Sequence, residues 1–233
     1  MIVKLISHTP YPDRCCAAAA FTSWKKMSPK ELFDGLSDQD ANDFLRMVID
    51  YGHLSVTEHA SFTFSIEGIS RACSHELVRH RLASYTQQSQ RYVKFSASDL
   101  KYVTPKTVEE SEFKSEYHQM MIKISEFYTK LCGKVPVEDA RYILPNAVAT
   151  NLVVTMNARE LNHFFNLRLC NRAQWEIRCL AAKMLEEVKK VAPVLFESAG
   201  PNCDRLGFCT EGHLSCGRRP TKDKLLKNGK NDK

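Results

Sequence analysis

Residues 61–67 read Ser-Phe-Thr-Phe-Ser-Ile-Glu, with Phe62, Phe64 and Ile66 at every second position. This alternation places the three apolar side chains on one face of a β-strand and the polar ones on the other. Residues 1–8 and the β-branched stretch 147–155 indicate two further strands. The sequence therefore predicts a sheet in which residues 61–67 form a half-buried strand.

Helical signals surround these strands. Ser28-Pro29-Lys30-Glu31 has the serine cap, first-turn proline and glutamate that begin a helix, and Ser37 with Asp40 begins another, which ends near Gly52. Residues 83–92 are polar and are predicted to be irregular. Further helices are predicted over 70–82, 107–132, a short stretch after Pro136, 157–169 and 173–191. The fold class is therefore α/β of the α+β type: one mixed domain with a mainly antiparallel sheet flanked by helices, some of them long.

The composition is that of a globular protein. The chain has 233 residues, of which 43% are hydrophobic and 26% charged, with a net charge of +6. Five of these six charges fall after Gly217, so the rest of the chain is nearly neutral. No apolar run reaches the roughly 18 residues needed to cross a bilayer, and the N-terminus predicts no secretory signal. We expect a domain over residues 1–199 and a Cys/Gly-rich and basic tail over residues 200–233, whose lysine-rich end after Cys216 is expected to be disordered.

Nine cysteines are present, an odd number in a chain of this length. Without a secretory signal, this usage predicts free thiols in a reducing cytoplasm.

Residues 79–92 are the densest polar stretch of the sequence and contain Arg79, His80, Arg81 and Arg91. Arginine presents a planar, charged fork that suits phosphate or carboxylate, while the intervening hydroxyls and amides add neutral donors and acceptors. This pattern favours an anionic ligand with a polar ring, such as a nucleotide. The alternative is a solvated polar surface.

A second polar stretch, residues 157–168, places Arg159, Asn162, His163 and Asn166 on a predicted helix. The alternative is an ordinary helix with a core stripe and Asn157 as its N-cap.

Five motifs resemble those of the flavin-dependent thymidylate synthase family and occur along this chain in the order found in that family. They are Arg79-His80-Arg81 followed after seven residues by Ser89; the upstream His53-x-Ser55-x-x-Glu58-His59; Asp139-Ala140-Arg141-x-x-Leu144-Pro145; Asn157-x-Arg159 through Leu167-Arg168; and Ala173-Gln174-Trp175-Glu176-Ile177-Arg178. The resemblance implies reductive methylation of dUMP to dTMP, with methylenetetrahydrofolate as carbon donor and FAD, reduced by NADPH, as hydride carrier. It also implies a homotetramer with sites shared between subunits, and no cysteine nucleophile.

The resemblance also implies residue roles. Arg168 and Ser89 are expected to be catalytic, and Ser89 is expected to polarise the uracil rather than attack it, because no positioned base is evident near it. Family members often carry Glu at the position of Gln87, so its role is open. The expected dUMP-binding residues are Glu76, Arg79, Gln87, Gln88, Ser89, Gln90, Arg91, Arg141 and Arg168.

FAD needs donors for its pyrophosphate and a positive environment for its reduced ring. No GxGxxG turn is present, so a Rossmann site is not expected. His53 and His80 could instead be satisfied structural histidines. The residues that the resemblance assigns to FAD are His53, Ser55, Glu58, Arg79, His80, Arg81, Gln87, Asn157, Arg159, His163, Leu167 and Arg172.

Cys203, Cys209, His213 and Cys216 form a Cys3His set within fourteen residues. Tetrahedral zinc accepts these ligands, although the usual Cys-x2-Cys pair is missing. The alternatives are free thiols or, as a different function, a nucleic-acid-binding module with a Cys/His knuckle and a basic tail. Because the charge lies in the tail rather than beside the arginine stretch, neither a nucleic-acid nor a membrane partner is expected.

Overall fold

Four strands form one sheet in the order β1-β2-β4-β3 in the computed structural model, which describes residues 1–96 and 98–228. The strands are β1 (Ile2–His8), β2 (Ser61–Ser70), β3 (Ala83–Gln87) and β4 (Ala149–Asn157). The amide of Arg71 donates to Val148 and that of Ala158 to Ala60, so β2 and β4 run antiparallel. The predicted fold class and mainly antiparallel sheet are confirmed.

The alternation in β2 is confirmed, because Phe62, Phe64 and Ile66 are completely buried. Most predicted helices lie close to their expected positions, although the one predicted over residues 70–82 ends at Leu77 and those over Pro12–Phe21 and Asn202–Leu206 were not predicted. Serine and asparagine caps explain where several of the helices begin. The helices are α1 (Pro12–Phe21), α2 (Pro29–Gly35), α3 (Asp38–Asp50), α4 (Arg71–Leu77), α5 (Lys106–Glu109), α6 (Lys114–Cys132), α7 (Val137–Ala140), α8 (Ala158–Arg168), α9 (Trp175–Lys189), α10 (Asn202–Leu206) and α11 (Lys222–Asn228).

Two predictions within the body of the chain are wrong. Residues 83–92 are not wholly irregular, because Ala83–Gln87 form the edge strand β3, whose half-exposed residues carry little apolar alternation. The long helix expected over residues 107–132 is divided into α5 and α6. Ser111 lies at the break and donates to the carbonyl of Val108 while accepting from the amide of Phe113, which competes with helical hydrogen bonding.

The lysine-rich end of the C-terminal tail differs from its predicted disorder, because a helix over Lys222–Asn228 lies within it. Residues 200–228 contain α10 and α11, and Cys209 pairs with Thr221 in a parallel bridge. The final residues of the predicted tail, 229–233, lie outside the described residues. The division expected at residue 199 stays a prediction, since the structure separates into compact units along other lines.

Unit 1 comprises Met1–Ile2, Ser65–Arg79 and Tyr85–Val154. It contains α4 to α7, and Leu77, Met121 and Tyr128 are among its buried side chains. Burial raises the pKa of the Tyr128 hydroxyl to about 12.

Unit 2 comprises Val3–Phe64, His80–Ser84 and Thr155–Lys233, of which residues up to 228 are described. Its core includes Phe196, whose ring meets Phe62 and Phe165 edge to face. The buried carboxylate of Asp13 accepts hydrogen bonds from the amides of Val194 and Leu195 at 3.2 and 3.0 Å. Burial raises the pKa of this carboxyl group.

Candidate active site

Three side chains of unit 2 form a hydrogen-bonded row. Nδ1 of His80 lies 3.0 Å from Oε1 of Glu160, and Nε of Arg168 lies 3.2 Å from Nε2 of His80. Glu160 and Arg168 lie on opposite ends of α8, which Asn157 caps by accepting from the Glu160 amide at 2.9 Å. His80 and Glu160 are only 4% and 5% exposed, so the row is largely shielded from water.

The row fixes the protonation state of His80. Because the Arg168 guanidinium is always charged and only donates, Nε2 of His80 must accept. The ring proton therefore lies on Nδ1 and is donated to the Glu160 carboxylate. Burial is the main cause that lowers the pKa of His80, which keeps the ring neutral. A neutral imidazole locked by a carboxylate holds the Arg168 head in one orientation.

His163 lies beside this row, with its ring centre 5.6 Å from that of His80. Among the described residues, His80, Glu160 and His163 are the group whose side-chain atoms come close enough to share a metal ion. Both ring nitrogens of His80 are already bonded, and the charge of Arg168 opposes a cation there. The arrangement therefore suits the positioning of an arginine better than metal binding.

Other predicted flavin residues of unit 2 are solvent-facing. Arg159 forms an ion pair with Glu58. Arg81 is exposed and forms no ion pair with any residue in the described ranges. Leu167 is 43% exposed, so α8 presents an apolar side chain beside its polar ones.

His53 and Ser55 line an open groove of about 520 Å³ in unit 2. Trp24, Phe44 and Tyr51 contribute aromatic surface to the same groove, and the rings of Trp24 and Phe44 stack with centroids 5.4 Å apart. An apolar groove edged by a histidine and a hydroxyl can accept a flat ring that carries polar substituents.

Unit 1 holds the predicted nucleotide-binding loop. The amide nitrogen of the Gln87 side chain donates to the hydroxyls of Ser74 and Thr150 at 3.0 and 3.2 Å. The backbone amide of Gln88 donates to Asn151. Ser89 Oγ accepts from the Arg91 amide at 3.1 Å, which shapes the turn after β3. Gln90 is half-buried in the same turn.

Three arginines of unit 1 hold positive charge near the predicted nucleotide-binding loop: Arg71, Arg91 and Arg141. Arg91 forms an ion pair with Glu138 at 2.9 Å, and Nε of Arg141 donates to the Glu138 backbone carbonyl. Sequence reasoning missed Arg71, which donates to the carbonyl of Gln88 at 3.4 Å. Burial, then the charge of Arg141, lowers the pKa of Arg71. Of the three guanidiniums, Arg91 alone is paired with a carboxylate of a described residue, and the other two donate to backbone carbonyls, so the set suits a bound dianion.

Two further predicted residues of unit 1 lie at the end of α4. Glu76 is half-buried, and its backbone carbonyl accepts from the amide of Arg79 at 3.3 Å. The Arg79 side chain is exposed and forms no ion pair with a described residue. It is therefore available to a ligand.

Arg172, predicted to bind FAD, instead contacts the C-terminal segment. Its guanidinium donates to the carbonyl of Leu214 at 3.2 Å and approaches Glu211 at 3.7 Å. The predicted Cys3His set is not assembled either: Cys203, Cys209 and Cys216 line one cavity, whereas His213 lines a separate surface pocket. Sequence spacing missed this because the intervening turns point His213 away.

Comparisons with known proteins identify the family to which the chain belongs. Residues 4–194 match the family model described as thymidylate synthase complementing protein. A flavin-dependent thymidylate synthase from Geobacter sulfurreducens is 49% identical over 229 residues, covering 97% of this chain and 98% of that protein. The chain therefore belongs to the flavin-dependent thymidylate synthase family. The one from Pyrococcus horikoshii is 48% identical over 220 residues, covering 91% and 90% of the two chains.

A solved structure of this family shares the fold. It is the Helicobacter pylori flavin-dependent thymidylate synthase in complex with FAD and dUMP, with a TM-score of 0.70 and 25% identity, covering 86% of this chain and all of that one. The family resemblance predicted from the motifs is confirmed, and it favours an enzyme over the nucleic-acid-binding alternative. Among the described helices, none is long and apolar enough to cross a membrane.

Proposed function

We propose that this protein makes dTMP from dUMP by reductive methylation, with methylenetetrahydrofolate as the carbon donor and FAD, reduced by NADPH, as the hydride carrier. Family membership and the complex of the Helicobacter pylori relative with FAD and dUMP support this reaction. The structural observation that carries the proposal is the buried row of Glu160, His80 and Arg168, because it prepares a charged donor for an anionic or carbonyl-bearing substrate.

The positive charge of unit 1 supports a role in holding the phosphate of dUMP. Arg91 and Arg141 share Glu138, and Arg71 adds a third guanidinium close to Arg141. A phosphate dianion gains charge-assisted hydrogen bonds from such a set. We assign the uracil to Gln87, Gln88, Ser89 and Gln90, whose donors can stabilise negative charge that develops on a ring carbonyl. We propose that Glu76 and Arg79 also contact this nucleotide.

The residues present fit FAD. Arg79 and Arg81 are exposed guanidiniums without ion pairs in the described structure, and His53 and Ser55 edge an aromatic groove. When bound, FAD supplies the hydride. The chain's own residues would bind its phosphates through the arginines, orient its ring through His53, Ser55, Asn157 and His163, and exclude water with Leu167. Glu58 would hold Arg159 in place through their ion pair, so that Arg159 can also bind FAD.

We also propose a homotetramer whose sites are completed by neighbouring subunits. Tyr92 and Tyr142 are 81% and 84% exposed, and each directly follows a predicted phosphate-binding arginine. Large exposed aromatic side chains of this kind suit a protein interface. The nine cysteines, all free, fit a reducing cytoplasm.

The visible absorption spectrum of the purified protein, before and after addition of dUMP, tests the proposal. We expect flavin bands that shift on adding the nucleotide, because both ligands are proposed to share a site. Formation of dTMP should then require dUMP, methylenetetrahydrofolate and NADPH together. A colourless protein that takes up no added FAD would refute the assignment.

A further inference from the structure

Four cysteines of unit 2 line one small cavity of about 50 Å³: Cys170, Cys203, Cys209 and Cys216. Three come from the C-terminal segment, and Cys170 lies just beyond the end of α8. A pocket for an organic ligand occupies roughly 300–1,000 Å³, so this cavity is too small for one. Its size and its sulfur lining match a single ion that prefers thiolates.

The sulfur of Cys216 accepts a hydrogen bond from a neighbouring side chain. The side-chain amide of Asn171 donates to it at 3.6 Å. A donor directed at a cysteine sulfur supports a thiolate, which is the form that binds metal.

The C-terminal segment has little apolar material with which to hold its shape. Within residues 201–226, the buried apolar side chains are Pro201 and Cys209 alone. The turns are nevertheless sharp, because Gly207, Gly212 and Gly217 adopt positive φ angles of 75°, 57° and 83°. Short segments without a hydrophobic core are usually stabilised by disulfides or by a metal ion. Because these thiols form no disulfide, a metal ion is the remaining means of stabilisation.

The charges nearby also favour a thiolate-bound metal. Zn²⁺ with four thiolates carries a net charge of about −2. Arg172, Arg218 and Arg219 line the same cavity, and their partners Glu211 and Asp204 hold them there. These arginines would offset the charge of the bound centre.

We propose that Cys170, Cys203, Cys209 and Cys216 bind one structural zinc ion. No three of the four sulfur atoms lie within 4.8 Å of one another, so zinc binding would have to move the C-terminal segment to reach a metal–sulfur distance of about 2.3 Å. The glycine turns allow this closure. The zinc would fasten the C-terminal segment to the end of α8, the helix that carries Arg168.

Elemental analysis of the full-length protein, purified under reducing conditions and dialysed against EDTA, tests the proposal. We expect about one zinc per chain, released when a mercurial reagent blocks the thiols. The variants Cys170→Ser and Cys203→Ser should each lose the zinc. The matched controls Cys179→Ser, an exposed cysteine on α9, and His213→Ala should keep it.

A folded wild-type protein without zinc would overturn the proposal. Retention of zinc by Cys170→Ser, or its loss in His213→Ala, would overturn this ligand set. If the serine variants do not fold, the metal is removed from the wild-type protein and replaced by Co²⁺. Absorption bands of a tetrahedral four-thiolate cobalt centre are then expected, and a spectrum of nitrogen or oxygen ligands would contradict the assignment.

Discussion

Arg168 donates a hydrogen bond from its Nε atom to Nε2 of His80, although 88 residues separate them in the chain. This contact gives an arginine at the end of α8 a fixed direction, because His80 is itself bonded to the buried Glu160. A guanidinium whose direction is already fixed loses little side-chain entropy when a substrate binds to it.

Removing the Arg168 guanidinium should abolish tight binding of dUMP while leaving the flavin in place. We expect Arg168→Ala to weaken dUMP binding about 100-fold, as for loss of charged hydrogen bonds. A dUMP titration followed by the flavin absorbance measures this, with Lys183→Ala on α9 as an exposed control. A nucleotide affinity close to that of the wild type would remove Arg168 from the proposed site.

Neutralising Glu160 should act on dUMP through His80. In Glu160→Gln the carboxylate acceptor is lost, so the imidazole no longer favours the tautomer that accepts from Arg168. We expect KM for dUMP to rise about tenfold, the size of one buried hydrogen bond. The control is Glu186→Gln, an exposed carboxylate on α9. A fall in melting temperature without any change in KM would show that Glu160 is only structural.

The stability of the protein should decrease in mild acid because of His80. Burial lowers its pKa below the unfolded value of 6.5. Below pH 6.5 the unfolded chain therefore takes up a proton that the folded protein refuses, and the free energy of unfolding falls by up to about 1.4 kcal/mol per pH unit. Urea unfolding at several pH values should show a shallower decline for His80→Gln than for the wild type. Parallel curves would contradict this assignment.

Ser89→Ala should slow the reaction without stopping it. The Ser89 hydroxyl accepts from the Arg91 amide, so its loss loosens the turn rather than removing a nucleophile. We expect kcat/KM for dUMP to fall about tenfold. Mass spectrometry of the wild-type protein during turnover should detect no covalent adduct on Ser89, and a trapped adduct would reverse this interpretation.

Arg71→Met should weaken nucleotide binding while preserving the fold. The Arg71 guanidinium is partly desolvated and repelled by Arg141, so replacing it relieves unfavourable charge. We expect KM for dUMP to rise about tenfold and the melting temperature to stay level or increase. Lys123→Met, an exposed cation on α6, provides the control. An unchanged KM would exclude Arg71 from phosphate binding.

Local signals predicted most of the fold, because they depend on near neighbours in the chain. The alternation in β2 and the caps at Ser37 and Asn157 each act within a few residues. The edge strand β3 was missed because an edge position leaves its polar residues half exposed. Its identity comes from pairing with other strands, which local pattern does not contain.

The site was predictable only as far as its motifs reached. The arginine-rich stretch predicted Arg91 as a phosphate-binding residue. Arg71 was missed because it is close to Arg141 only in the folded structure, 70 positions away in the chain. Spacing likewise favoured His213 as the fourth ligand of the C-terminal cysteines, whereas folding brings Cys170 to them. Contacts between distant segments decide both cases.

The bond between Asp13 and the amides of Val194 and Leu195 has a consequence for protein synthesis. The carboxylate near the start of α1 finds its donors 181 and 182 residues later. At a translation rate of about 5–20 residues per second, roughly 10–40 s pass before those donors exist. Until then, burial of the Asp13 carboxylate is unfavourable. Helix α1 can already pack against α2 and α3, because these helices follow it directly in the chain. The carboxylate at its start must therefore stay hydrated until synthesis is nearly complete, and the segment around Val194 and Leu195 covers Asp13 only afterwards.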